Sequence, residues 1–449
     1  MKKSNRAIGM IGLFLAFLFA FSSIPVLAEA EPFPDTSRAS AVYFYHLESD
    51  RLIGESNADV QLPAGSTVKI LSGLLFCERL GAQLGDEIEI TMDMIRNSTG
   101  RRFRMKVGEI YTVEQLLYLA VCGSYNDAFD ALAYVIGGGD ARAFVAEMSE
   151  RAIELGLTST VIADHTGLSD SSFTTARDLF VLARAAVENS FYMTICSSEI
   201  YDLPQKRIYN ANALLSTAED TRYYNTLCRG LSAGSTTLGG YSLVTLAQKD
   251  NERYLCVVLG ASKGEGTDGE IYSYEIANRL IDWGFSNYAN VEILSPDVTL
   301  CTIPVTVSDM TESLEVRPGE SLQVYLPKDA ELGREVTYSI RLMYESLEAP
   351  VAEGMHVGYV AVIYRGETVG TVNLYTVGTA QRSGFISRLM RLRSITEDRA
   401  VLSGILFFVI ATSAWLVAEA LIRRHKRNKW KKYFSEKIDL PETLMKRKK

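Results

Sequence analysis

The sequence predicts an α+β protein: an antiparallel sheet covered by helices, followed by a small all-β domain and one C-terminal transmembrane helix. Three observations predict it. Between residues 66 and 189 apolar residues recur at helical spacing, and short apolar runs joined by charged turns flank this block on both sides, so the first and last strands of the sheet come from distant sequence. From residue 291 to about 380 the texture changes to short alternating runs separated by Gly, Pro and Asp, as strands of a small β domain require. Residues Ala400 to Ile422, AVLSGILFFVIATSAWLVAEALI, carry a single acid, Glu419, and about 20 apolar residues suffice to cross a bilayer.

The chain opens on Lys2, Lys3 and Arg6, continues through an apolar stretch and reaches small residues at Ala28 and Ala30, the layout of a secretory signal peptide over residues 1–30. The segment 31–290 then holds the α+β body. ASAVYFYHLESDRLIGE predicts two strands around a polar turn at Glu48 to Asp50. STVKILSGLLFCERLG predicts a helix ending at Gly81, TVEQLLYLAVCG one opening at Thr112, and NDAFDALAYVIGGG, ARAFVAEMSERAIELGL and TTARDLFVLARAAVEN further amphipathic helices. YSLVTLAQKDNERYLCVVLGA predicts a hairpin with its turn at Lys249 to Glu252, and IYSYEIANRLIDWGF a returning helix. The β domain, 291–380, includes a hairpin around RGET. Residues 381–399 form an amphipathic connector to the span at 400–422, and the Lys- and Arg-rich segment 423–449 marks a cytoplasmic tail, since positive loops stay inside. The expected product is a single-pass cell-membrane protein with its body outside, in contact with the lipid bilayer.

A net charge of -8 excludes a generally basic, nucleic-acid-coating protein. The six cysteines show no CxxC spacing and only four histidines occur, which points away from a zinc site and from a disulfide framework; no metal or cofactor is expected.

One stretch, PAGSTVKIL, raises a chemical question. Lys69 follows Ser66 by three residues, so on a helix both side chains share one face. An ammonium in an apolar face loses solvation, its pKa falls, and the neutral amine can take a proton from the hydroxyl. Ser66 also sits at a first helical turn, where free N–H groups can stabilise an oxyanion. By chance an S-x-x-K is expected about once or twice in a chain this long. A second piece, CGSYNDAFD, puts Ser124 and Asn126 between two helices, where they can point into a cleft.

With both motifs in this order, the chain resembles the serine D-Ala-D-Ala carboxypeptidases, the low-molecular-mass penicillin-binding proteins that share their transpeptidase fold and site with serine β-lactamases. The resemblance runs from about Ala39 to Tyr288 through PAGSTVKIL, LLYLAVCGSYNDA, DHTGLSDSSFTTARDL, GGYSLVTLAQKDNERYLCVVLGA and IDWGF. The segment EGMHVGYVAVIYRGETVGTVNLY is similar to the family's C-terminal domain. It implies that Ser66 is acylated, Lys69 is its general base, Ser124 relays a proton to the leaving D-alanine and Asn126 binds the peptide stem.

The third motif of the family, K-T-G, reads Ser232-Ala233-Gly234 in this chain. Gly234 still permits close approach and Ser235 can offer its N–H, so Ser232, Gly234, Ser235 and Thr236 are expected along the substrate, without the cation and the hydroxyl. Losing a charge-assisted contact costs about 1.5 to 3 kcal/mol, or about ten- to a hundredfold in rate. Arg229, three residues upstream, is a candidate substitute charge, but an odd offset turns it to the other face of the strand and disfavours it. Where relatives often carry an arginine after the second hairpin strand, this chain offers only Lys263, so the carboxylate pocket is expected to be doubly depleted.

The resemblance therefore implies a membrane-anchored hydrolase that trims the terminal D-alanine of peptidoglycan stem peptides and is acylated by β-lactams. A catalytically impaired wall-binding protein of the same family is the alternative. A β-lactamase fits less well, since no carboxylate loop to activate a deacylating water stands out.

Overall fold

A computed structural model describes residues 32–218, 221–265, 269–385 and 399–437, with residues 388, 389 and 393 between the last two stretches. The expected signal peptide, most of the amphipathic connector and the last part of the tail lie outside these residues. The described chain divides into two compact units. One runs to Val291 and takes in Val324–Glu331; the other holds Glu292–Gln323 and continues from Leu332.

In the first unit, strands β1 (Ala41–His46), β2 (Arg51–Ser56), β3 (Cys228–Thr236), β4 (Gly240–Lys249) and β5 (Glu252–Ala261) form one antiparallel sheet in the order β2-β1-β5-β4-β3. Its centre is covered on both faces, which explains the near-continuous apolar runs. Along β1 and β5 the pleat sends Tyr43, Tyr45, Leu255, Val257 and Leu259 into one core, and Val42, Phe44, Tyr254, Cys256 and Val258 into the other. Each such fully buried side chain contributes about 1.5 to 3 kcal/mol.

The larger core is closed by helices α1 (Val68–Leu80), α2 (Val113–Leu117), α3 (Asn126–Ile136), α4 (Ala141–Glu154), α5 (Ala176–Val187) and α6 (Ser190–Cys196). Helix α1 is buried on nearly every side, Lys69 included. Helix α2 begins where expected, after Thr112, with a capping box in which Thr112 and Gln115 exchange hydrogen bonds. The single helix expected over 112–123 changes character at Tyr118–Cys122, where a π-helical turn delivers the chain to Ser124. Such turns are frequent at functional sites. The smaller core is closed by α7 (Tyr272–Asn287) through Ile276, Leu280 and Ile281.

Val324–Glu331 joins the first unit because the Tyr325 ring stacks on His46 at 3.8 Å and its hydroxyl pairs with that of Tyr254 at 2.7 Å. All six cysteines are free thiols, five of them buried. Burial pushes the thiols of Cys77 and Cys122 up to about 12, so both are inert.

The second unit carries a six-stranded sheet of β6 (Cys301–Thr306), β7 (Ser313–Pro318), β8 (Val336–Leu342), β9 (Leu347–Glu348), β10 (His356–Tyr364) and β11 (Glu367–Val377), in the order β8-β10-β11-β7-β6-β9. The RGET hairpin is β10 to β11. Tyr364 pairs with Glu367, and both intervening residues have positive φ, 48° at Arg365 and 92° at Gly366, as a tight two-residue turn requires. Helix α8 (Arg399–Lys437) contains one stretch, Leu402–Tyr433, long enough to cross a membrane, and its most apolar 18-residue window has a mean hydropathy of 2.2. It runs on beyond Ile422 through the basic residues, since Lys and Arg are good helix formers and the next proline is Pro441.

Candidate functional site

The site candidates meet where α1, the loop before α3 and β3 converge. Ser66 lies in a short 3-10 turn, Gly65–Thr67, that feeds α1. Two glycines crowd it: a Cβ on Gly234 would stand 2.3 Å from Ser66 Oγ, and one on Gly167 would stand 1.8 Å from the Gly65 carbonyl oxygen. Only residues without a side chain let the strand and the DHTG loop approach this closely.

Lys69 is 8% exposed. Its Nζ donates to Ser124 Oγ at 2.9 Å and to the Ser124 carbonyl at 3.0 Å, and it rests 4.9 Å from the centre of the Phe129 ring. Ser124, not Ser66, is therefore its hydrogen-bond partner among the described residues; contacts between a nucleophile and its base are often long without substrate. Burial, and next the Arg101 guanidinium, lower the amine from 10.5 to about 7, while Asp130 and Asp164 oppose the shift. Near neutral pH a large fraction is then unprotonated. Ser124 has φ of 55°, a left-handed conformation that a non-glycine residue holds only when its surroundings impose it.

Asn126, expected to bind the peptide stem, lies at the start of α3. It is 3% exposed, its Nδ2 donates to the Thr99 carbonyl at 2.7 Å, and its Oδ1 is buried without a hydrogen-bond partner among the described residues. Its own N–H donates to the Arg101 carbonyl at 2.7 Å. Neighbouring Asp127 accepts from the N–H groups of Phe103, Arg104 and Met105, so the start of α3 fixes residues 99–105 against the site.

On the strand side, Ser232 Oγ donates to the Ser66 carbonyl at 3.0 Å, fastening β3 to the turn that carries Ser66. Behind it lies a cavity of about 20 Å³ lined in part by Lys69, Ser124, Asn212, Ser232 and Ala233. That is room for one water among polar partners. Ser235 is exposed. Thr236 is committed to the turn after β3, where its Oγ1 accepts from Gly239 N–H at 2.9 Å. Both line an open groove of about 760 Å³ with Tyr241, Asp170 and Lys263. Arg229 donates to the carbonyls of Thr226 and Cys228 and so serves its own strand.

Two features escaped the sequence reading. Arg101 donates through Nε to the Gly123 carbonyl at 2.9 Å and lies 5.0 Å over the Tyr125 ring, beside the Ser124 loop. Its only signal was the run Arg101-Arg102-Phe103-Arg104, which reads as a solvated charge cluster. His165 pairs with Asp130 at 2.7 Å, and its carbonyl accepts from Ser72 Oγ at 2.7 Å, locking the DHTG loop onto α1. Among the described residues, one group of His and Glu side chains converges closely enough for a metal ion, His46, Glu48 and Glu252, and it lies away from this site.

Over residues 28–263 the sequence matches the D-alanyl-D-alanine carboxypeptidase family. The Escherichia coli D-alanyl-D-alanine carboxypeptidase DacC is 28% identical over 388 residues, spanning 83% of this chain and 92% of its own length. The Bacillus subtilis DacF protein is 24% identical over 357 residues, 79% and 88% of the two chains. Among solved structures, penicillin-binding protein 5 from Haemophilus influenzae aligns with a TM-score of 0.55 at 22% identity, over 78% of this chain and 99% of its own, which speaks to the fold alone. The D-alanyl-D-alanine carboxypeptidase of Mycobacterium tuberculosis aligns with a TM-score of 0.51 at 28% identity, over 58% and 95%.

Proposed function

The chain belongs to the D-alanyl-D-alanine carboxypeptidase family of serine peptidases, and from that premise we propose that it removes the terminal D-alanine of peptidoglycan stem peptides through an acyl-enzyme on Ser66. The observation that carries the reading is a buried lysine held at about 7 and hydrogen-bonded to Ser124. Neutral Lys69 takes the Ser66 proton as Oγ attacks the carbonyl of the D-Ala-D-Ala bond. The tetrahedral oxyanion is met by the N–H groups of Ser66 and Ser235. Ser124, bonded to Lys69, passes the proton to the leaving amine, and water then frees the shortened stem. Asn126 Oδ1 accepts a stem amide N–H once residues 99–101 shift aside.

The strand wall sets the rate. Ser232 supplies no cation and Ala233 no hydroxyl, so Lys263 and Ser235 in the open groove hold the substrate's carboxylate. The same substitutions support a second reading, a family member that binds the wall with little turnover. The body lies outside the cell membrane, anchored by α8, and β-lactams acylate Ser66.

The test is D-alanine release from a synthetic pentapeptide stem by the full-length protein in detergent. The reading predicts release that increases as pH rises through about 7, and none from Ser66→Ala. No release by the unmutated protein would favour the binding role.

A further inference from the structure

At the end of the sheet remote from Ser66, three side chains converge without a part in the chemistry above. The register shows the separation: Ser235 pairs with Tyr241 and Tyr241 with Ala261 at one end, whereas His46 pairs with Tyr254 and Lys249 with Glu252 at the other. His46 is fully buried, 0% exposed, between the rings of Tyr325 and Tyr254. Its Nε2 stands 2.7 Å from Glu252 Oε2 and 3.6 Å from Glu48 Oε2, and among the described residues no hydrogen bond of good geometry satisfies it. An orphaned, buried ring nitrogen facing two carboxylates calls for an occupant.

We propose that His46, Glu48 and Glu252 form a binding site for one divalent transition-metal ion of the zinc type. Their candidate ligand atoms all lie within 4.8 Å of one another. The supports are those such a site uses. Nδ1 of His46 faces Ser49 Oγ at 2.8 Å, so with the proton on Nδ1 the Nε2 lone pair is free for a metal. Glu48 Oε1 accepts from Arg253 Nε at 2.6 Å, and Glu252 Oε1 from Asn290 Nδ2 at 2.5 Å, which leaves the Oε2 of each turned inward. Glu48 Oε2 also accepts the Arg253 N–H at 2.7 Å, and an oxygen with two lone pairs can keep that bond. One imidazole with two carboxylates suits Zn²⁺ or Mn²⁺. Calcium and magnesium prefer more oxygens and no nitrogen. The ion would clamp the β1 end, the β4–β5 turn and the Tyr325 segment together, a structural role. The competing arrangement is a plain ion pair, with the Ser49 N–H, 3.3 Å away, donating to Nδ1 and the proton carried on Nε2.

The full-length protein in detergent, stripped with chelator, is titrated with Zn²⁺ by calorimetry and with Co²⁺ by visible absorption. The proposal expects one saturable equivalent, Co²⁺ ligand-field bands without a thiolate charge-transfer band, and a higher melting temperature with metal. Glu252→Gln and Glu48→Gln, both partly exposed positions that should fold, each weaken binding at least about tenfold, with His46→Gln as a third variant and circular dichroism as the folding check. Absence of saturable binding, equal affinity in the folded Glu variants, or a thiolate band would each overturn it.

Discussion

The two walls of the cleft differ in kind. The helical wall is complete and over-determined: α1 buries Lys69, the π-helical turn delivers Ser124 in a left-handed conformation, and Asp127 and Asn126 fasten residues 99–105 beside it. The strand wall keeps its backbone and loses its charge. Gly234 presses on Ser66, but Ser232 ties down the nucleophile's turn where an ammonium is expected, and a small cavity remains behind it. The contrast is that the helical wall lowers the Lys69 amine by burial and by Arg101, whereas the strand wall presents neither the cation nor the hydroxyl expected of it.

The largest expected effect tests the helical wall. Ser66→Ala or Lys69→Met should reduce acylation by at least about a thousandfold, measured as single-turnover rates, because the proposed mechanism puts both in one proton transfer. A smaller loss in Lys69→Met would mean that another base serves Ser66. Gly234→Ala comes next. Its new methyl would overlap Ser66 Oγ, and about a hundredfold loss with an intact circular dichroism spectrum would place the fault in the site rather than the fold.

The strand wall is tested by gain. Ser232→Lys combined with Ala233→Thr should raise D-alanine release about ten- to a hundredfold; an unchanged rate would show that the strand has been repurposed. Arg101→Gln should have a milder effect. Without that guanidinium the Lys69 amine rises, so the pH profile of acylation moves to higher pH, a shift that a purely structural role for Arg101 would not produce.

The smallest effect concerns stability. The Lys69 amine is held at about 7 in the fold against 10.5 when exposed, so between those values the unfolded chain binds more protons and stability rises with pH. Below about pH 7 the buried charge is a standing cost. Lys69→Met should therefore melt a few degrees higher at neutral pH while losing activity, the trade common at active sites.

Much of this was legible in the sequence. That Lys69 and Ser124 lie together near Ser66 was legible because helical spacing and motif order are local, and the α+β order followed from the change of period. Arg101 and the His46 cluster could not be read. Glu252 lies far along the chain from His46, and only the β1–β5 pairing brings the two together. The commitment of Thr236 to its own turn and the sealing of Asn126 under Thr99 also depend on tertiary contacts that no spacing reveals. The π-helical turn left no mark on the apolar period of LLYLAVC.

The most direct measurement is intact-mass spectrometry of the full-length protein in detergent after incubation with benzylpenicillin, across pH 5 to 9, with Ser66→Ala alongside. A stable adduct that forms faster as pH rises through about 7, and that is absent from the variant, is the predicted result. No adduct at any pH or concentration would contradict the claim that the buried Lys69 amine, lowered by desolvation and by Arg101, arms Ser66.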